Sequence, residues 1–440
     1  MYLSTTRAAG RPAAANGRLR SARVPATVVA LGMVSFFTDV SAEMVAAFLP
    51  MYLLYGLGTG FLHLGLLDGL YTGAGALLRL AGGHLADRSA RPKAVAMAGY
   101  GLSAAGKLLF PLVGGAVAGI GAAVAVDRAG KGLRAAPRDA LITAATPPHA
   151  LGAAFGVHRA LDTAGALLGP VAVFALVAAV GDAYDAVFVT SLCLAMIGVV
   201  ILACFVRDRR VAPEARPRVS LRDGRLLPAR RPLRRVAAYA TMLGLVTAGD
   251  AFLFVGVQRQ TGLGAATLPL LPLATSLVFL VAAVPLGKLA DRVGGWRIFV
   301  AGHALLAAAY ALLAAAWQGP VAALGVLLLH GLFYAATDGV LMAYLAPRVP
   351  EHLRASGLAV TQTGQALART GGTIGFGALA ASWDLRGAFT AFAALLVAGV
   401  LTACAFPPGR EPGREPGREP GHGPGRDAGR GPDSGTETAS

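Results

Sequence analysis

Apolar residues in this chain come in long runs, and charge is confined to short clusters between them. Twelve apolar segments can be marked: 25–55, 61–86, 93–113, 115–136, 150–180, 185–206, 235–257, 266–290, 297–317, 320–345, 354–381 and 385–405. A helix that spans a bilayer needs about 20 mostly apolar residues. In lipid such a helix satisfies its own backbone N–H and C=O groups, which few other structures can do. The pattern therefore predicts an all-α membrane protein with twelve transmembrane helices. Pro and Gly interrupt many segments, and neighbouring helices can re-satisfy the backbone groups they free.

Only 14% of the 440 residues are charged. A soluble domain averages roughly 25%. That deficit removes an ordinary globular enzyme as the default. The net charge of +16 is topogenic, because Arg and Lys gather in alternate loops. The basic set is the N-terminal tail, the loop with Arg88, Arg91 and Lys93, the end of segment four, residues 207–235, the loop with Arg292 and Arg297, and the loop with Arg348 and Arg354. Between them lie GLGTG, PLVGG, GDAYDA and WQGP, nearly free of Lys and Arg, with Arg259 and Arg386 as weak exceptions. The positive-inside rule makes the basic set cytoplasmic, so both termini lie inside the cell membrane. The first segment is too long for a signal-peptide core, and no cleavage is expected.

The organisation that follows is a basic cytoplasmic tail (1–24), a six-helix bundle (25–206), a cytoplasmic linker (207–234), a second six-helix bundle (235–405) and a disordered cytoplasmic tail (406–440). Residues 207–235 hold eleven Arg against three acids. They read as a solvated loop, with binding to anionic lipid as the other possibility. The last segment repeats Gly-Arg-Glu-Pro three times and cannot bury enough apolar surface to fold. Cys193, Cys204 and Cys404 stand singly in apolar runs and read as small core hydrophobes, not ligands.

The halves look like copies. Leu85–Arg88 and Leu289–Arg292 both spell LADR; Pro137-Arg138 is echoed by Pro347-Arg348, Arg159 by Arg369 and Asp39 by Asp250, all 204 to 211 positions apart. Repeated six-helix units are a transporter symmetry, with the substrate site between them near the bilayer midplane. GGHLADRSARPK from Gly82 and GKLADRVGGWR from Gly287 resemble the Gly-x-Leu-Ala-Asp-Arg-x-Gly-Arg loop of the major facilitator superfamily, with Ala90 replacing the second Gly of the first copy. The resemblance covers about residues 25 to 405. It implies two pseudo-symmetric bundles working by alternating access, and a gating latch at Asp87, Arg88, Asp291 and Arg292. The alternative for these residues is an ordinary charged turn.

DRAGKGLRAAPRDAL, residues 127–141, resembles the family's helix-four motif Arg-x-x-Gln-Gly, with Lys131 where Gln is usual. It is not a phosphate loop, since Gly132 follows Lys131 and no strand precedes it. Nor does it read nucleic acid, because no aromatic platform is interleaved. Gly165, Gly169 and Pro170 resemble the helix-five motif associated with antiporters, though Val173 and Phe174 replace the paired glycines expected next. Close packing through small residues is the alternative, with Gly371 and Gly375 doing the same in segment eleven.

A charge at mid-bilayer costs several kcal/mol unless it is paired or wetted. Asp39 and Glu43 share a helix face in segment one. Asp250 holds the matching place in segment seven, Arg128 lies in segment four and Asp338 in segment ten. In the family, helices one, four, seven and ten line the central cavity. Asp39, Glu43 and Asp250 are the candidates for proton coupling. Arg128 is the counter-charge, and Asp338 a further cavity group. Phe36, Phe37, Tyr71, Phe254 and Tyr334 are candidate wall aromatics. Asp68, Arg79, Lys107, His158, Arg159, Asp162 and Arg369 read as pairing between neighbouring helices; His303 and His330 read as packing residues.

The expected activity is proton-coupled export of a small amphipathic or hydrophobic organic compound, resembling the drug:proton antiporters. The first alternative is an uptake symporter for a small organic anion, and a remoter one is a non-transporting sensor or scaffold. No hydrolase, nucleotide or metal constellation is evident, so no enzyme activity and no cofactor is expected. Its partners are then substrate, protons and the bilayer, not nucleic acid; it works as a monomer, with the proton gradient as energy source.

Overall fold

The first bundle forms from six helices that follow the apolar segments: α1 (Ala26–Met51), α2 (Phe61–Arg88), α3 (Pro92–Leu112), α4 (Val117–Ala145), α5 (Leu151–Val180) and α6 (Tyr184–Phe205). The computed structural model describes residues 24–88, 91–147, 150–181, 184–206, 231–315, 319–349 and 354–408. Nearly all of the expected tails and of the expected linker lies outside those residues. The side chains of Asp87 and Arg88 also lie outside the described ones.

The second bundle has six spans, two of them broken. Span seven is α7 (Arg231–Leu245) followed by α8 (Asp250–Thr261). A short 3-10 turn (Ala265–Leu270) leads into α9 (Leu271–Val293) and then α10 (Gly295–Ala314). Span ten is α11 (Pro320–Thr337) and the short α12 (Val340–Leu345), and α13 (Arg354–Ser382) and α14 (Leu385–Ala405) close the chain. The span-ten break has Asp338 as the C-cap of α11 and Gly339 at φ +81°, a conformation that favours glycine. Thus Asp338 is not inside a helix, as its segment suggested, but at a hinge between two.

Helix α4 runs on to Ala145, past the expected end near 136. Ala and Arg are strong helix formers, and charge alone does not end a helix. Among the described residues, ten spans are long and apolar enough to cross a membrane by length and composition alone. Helix α4 is not among them because Asp127, Arg128, Lys131, Arg134, Arg138 and Asp139 all fall within it.

The bundles are inside-out relative to a soluble protein. Val281, Val284, Val321, Leu324 and Leu401 are 63–74% exposed on the outer face, whereas Asp39, Lys107, Asp127, Arg128 and Arg134 are buried. Exposed apolar area of that extent suits contact with lipid tails. Cys193, Cys204 and Cys404 are exposed free thiols, not core residues. Their apolar neighbours face outward, so apolar context in this chain signals lipid as readily as core.

The bundles meet where α1 turns into α2. Tyr55 donates to Gln258 Oε1 at 2.5 Å, Arg259 lies 4.9 Å over the Phe61 ring, and Thr370 Oγ1 donates to the Gly69 carbonyl at 3.2 Å. A Cβ at Gly65 would lie 2.9 Å from the Thr373 carbonyl, so glycine is what lets α2 lie flush on α13.

Candidate functional site

A cavity of about 220 Å³ lies between the bundles. It is lined by α1, α2 and α5 of the first and by α8, the 3-10 turn and α9 of the second. Its walls are largely apolar, with Leu49, Leu64, Phe254 and Leu268 among them. Three carboxylates open into it: Glu43, Asp68 and Asp250. Tyr71 and Pro170 complete the polar and kinked parts of the wall.

Helix packing fixes where Glu43 sits. A Cβ on Gly169 would come 2.7 Å from Glu43 Cβ and 2.9 Å from the Val40 carbonyl, and a Cβ on Gly165 would strike the Phe36 carbonyl. The glycines of α5 thus bring α1 into backbone contact, as the close-packing reading holds. In α13 the packing glycines are Gly372, whose Cβ would meet the Leu245 and Thr247 carbonyls, and Gly377, whose Cβ would meet the Phe61 carbonyl, whereas nothing lies within 4 Å of Gly375.

Asp250 is the first residue of α8 and is held from three sides. Tyr334 donates to both of its oxygens, His330 Nε2 lies 3.3 Å from Oδ1, and Arg369 Nη2 lies 3.6 Å from Oδ1. Its side chain nevertheless remains 40% exposed. His330 is therefore a carboxylate partner and not the packing histidine its apolar helix suggested. His303, whose Nδ1 lies 2.9 Å from the Phe299 carbonyl, does fit the packing description.

Asp39 lies apart. It is buried, 3.4 Å from Arg134 Nη2 and 3.7 Å from Lys131 Nζ, and is not a cavity wall residue. Lys131 also reaches Glu43 at 3.9 Å. Lys131 and Arg134 are thus the direct ion-pair partners here. Arg128 instead pairs with Asp127 at 2.5 Å and covers the Tyr71 ring at 3.9 Å. Asp127 also takes Lys107 at 2.5 Å and a hydrogen bond from Ser103. On α5, His158 meets Ser35 of α1 at 3.0 Å and Asp162 pairs with Arg138 of α4 at 3.7 Å, as pairing between helices requires, whereas Arg159 pairs with Asp162 of its own helix at 3.4 Å.

Of the wall aromatics, Tyr71 and Phe254 line the cavity, and Tyr334 reaches it through Asp250. Phe36 and Phe37 pack edge to face at 5.3 Å and are not wall residues. Asp338 is exposed and likewise not on the wall. Asp291 and Arg292 are exposed at the far end of α9.

Two helical bundles around a shared cavity define a carrier of small molecules. The profile of the Major Facilitator Superfamily matches residues 31–373 and again 251–432, and the chain belongs to that family. It is similar to an uncharacterized MFS-type transporter of Methanocaldococcus jannaschii, 27% identical over 346 residues, covering 76% of this chain and 84% of that one. An uncharacterized protein of Mycobacterium tuberculosis is 36% identical over 181 residues, 39% of this chain and 43% of its own length. Among solved structures, the nucleoside transporter NupG has a TM-score of 0.75 at 13% identity, covering 86% of this chain and 98% of that one. A bacterial homolog of the human lysosomal transporter Spinster, inward-facing and unoccupied, has a TM-score of 0.65 at 13% identity, covering 86% and 94%. At such identities the structures share the fold. The chain is a multi-pass membrane protein and a secondary transporter of a small molecule, not an enzyme.

Proposed function

We propose that this transporter exports a small amphipathic or hydrophobic organic compound in exchange for protons. The observation that carries the reading is the shared cavity: Glu43 from one bundle and Asp250 from the other open into it, 34% and 40% exposed. A carboxylate that water can reach, and whose partner moves with the bundles, can trade a proton for a substrate as the carrier rocks. The apolar wall suits a hydrophobic cargo. The deep cations support export over anion uptake, because they are already engaged: Lys107 and Arg128 by Asp127, Lys131 and Arg134 by Asp39, Arg369 by Asp250. In this reading the protein sits as a monomer in the cytoplasmic membrane with both termini inside. The proton gradient is its only energy source.

The test is counterflow in proteoliposomes carrying an internal pH dye, screened against lipophilic cations and organic anions. Export predicts proton movement opposite to that of a lipophilic compound, and its loss in Glu43→Gln and Asp250→Asn. Protons and an organic anion moving together would make the protein a symporter and overturn the proposal.

A further inference from the structure

We infer that Asp68 is a proton-sensitive tie between the bundles: its carboxylate caps the broken half-helix of the opposite bundle, and protonation releases that end of the carrier. The inference rests on the two-bundle carrier reading and is independent of transport direction.

Helix α8 begins abruptly. Its N-cap is Gly249, which has no side chain to offer, and the Phe252 N–H returns to the Gly249 carbonyl. The first N–H groups of a helix have no partner within it and carry partial positive charge. The Asp68 carboxylate, on α2 of the other bundle, stands at this terminus, on the same cavity wall as Asp250 and Ala251. It fits so closely over Gly249 that a Cβ there would collide with Oδ2. A carboxylate is therefore placed from across the bundle boundary at the helix end that lacks a side-chain cap of its own.

Its surroundings suit a switch. The cavity wall includes Asp68, so water and protons have access to it. Facing it are Asp250 on α8, Arg369 on α13, Glu43 on α1 and Tyr71 on its own helix, with His330 and Tyr334 behind Asp250 and Arg128 behind Tyr71. Ionised, Asp68 is attracted by the helix terminus and by Arg369 while being repelled by Asp250. Protonated, it loses the charge that the helix terminus attracts. The neighbouring contacts are of the kind that slide: Gly65 and Gly69 against Thr373 and Thr370. Asp68 stands about five turns from Asp87 on the same helix, so the tie lies toward the other end of α2 from the expected LADR latch.

The experiment is a double electron–electron resonance distance measurement on the full chain in nanodiscs. Labels go on Leu62→Cys and Trp383→Cys, both exposed at the tied end, after Cys193, Cys204 and Cys404 are replaced. Lowering the pH from about 8 to about 5 should raise the population of the longer distance. Asp68→Asn should show that population at every pH, enriched on the order of tenfold at the high-pH end, as expected for losing a carboxylate charge at a partly buried helix N-terminus. Gly249→Ala removes no charge but displaces the carboxylate, and should open the same end, although it also presses on Thr373 of its own bundle. Asp68→Glu should keep the pH response. Wild-type distances with an intact pH response in Asp68→Asn would overturn the tie, as would a response abolished by Asp250→Asn and untouched in Asp68→Asn. The readout needs no substrate, so failure of the export proposal would leave it standing.

Discussion

The Tyr334 hydroxyl donates to Asp250, 2.8 Å from Oδ1 and 2.6 Å from Oδ2, and accepts from Arg369 Nη2 at 2.6 Å. One phenol thus relays between a carboxylate on α8 and a guanidinium on α13. Groups linked this way do not contribute independently. Tyr334→Phe and Arg369→Gln should each lower thermal stability in detergent and slow transport. Their double mutant should be milder than the sum, with a coupling of about 0.5–3 kcal/mol. Additive losses would show that the relay is two unrelated contacts.

Backbone contact between α1 and α5 gives the second prediction. Gly169→Val places two methyl groups where even a Cβ meets Glu43 and Val40. Overpacking of this kind costs about 1–3 kcal/mol. The variant should melt earlier and transport less, because α1 carries Glu43 away with it. Gly375→Ala, with open space around it, should behave as wild type in both assays.

Lys131 is 40% exposed and stands 3.7 Å from Asp39 and 3.9 Å from Glu43. An exposed lysine at such distances contributes about 0–1 kcal/mol, and buried Asp39 keeps Arg134 when Lys131 is removed. Lys131→Gln should therefore leave the melting temperature nearly unchanged. It should still alter the transport rate, since Glu43 loses its only cation within 4 Å among the described residues. An unchanged rate would place Lys131 outside the coupling machinery.

Spans were legible because lipid imposes a length and a polarity that composition records directly. The duplicated LADR motif gave the two bundles. Depth along a helix was legible too: Glu43 and Asp250 do meet in one cavity. Rotation about the helix axis was not. Asp39 is one turn from Glu43 yet faces α4, and Arg128 turns to Asp127 while Lys131 and Arg134 take Asp39. Nothing in a run of apolar residues distinguishes a lipid-facing position from a core one, which is why the cysteines were misplaced. His330 was missed for a related reason. A histidine among leucines reads as packing until the partner, 80 positions away in the chain at Asp250, is brought alongside it. Asp68 carried the faintest signal of all, since what it faces is the backbone end of a helix whose break is marked by Gly249.

The buried group around Asp127 separates loss of a charge from loss of its balance. Lys107 is 1% exposed and Arg128 is 4% exposed, and both depend on the Asp127 carboxylate. Removing the acid leaves two cations without their anion in a low-dielectric interior, whereas removing Lys107 leaves a balanced pair, Asp127 and Arg128, still supported by Ser103. Breaking a buried pair by deleting one partner typically costs about 3–5 kcal/mol, while an apolar replacement that preserves balance is often neutral. Asp127→Asn should therefore abolish folded yield or lower the melting temperature sharply, and Lys107→Met should stay close to wild type. Size-exclusion profiles and thermal melts in detergent rank the two. If Lys107→Met proved the more damaging, the lysine would be needed for itself and not as one of two counter-charges to a single acid.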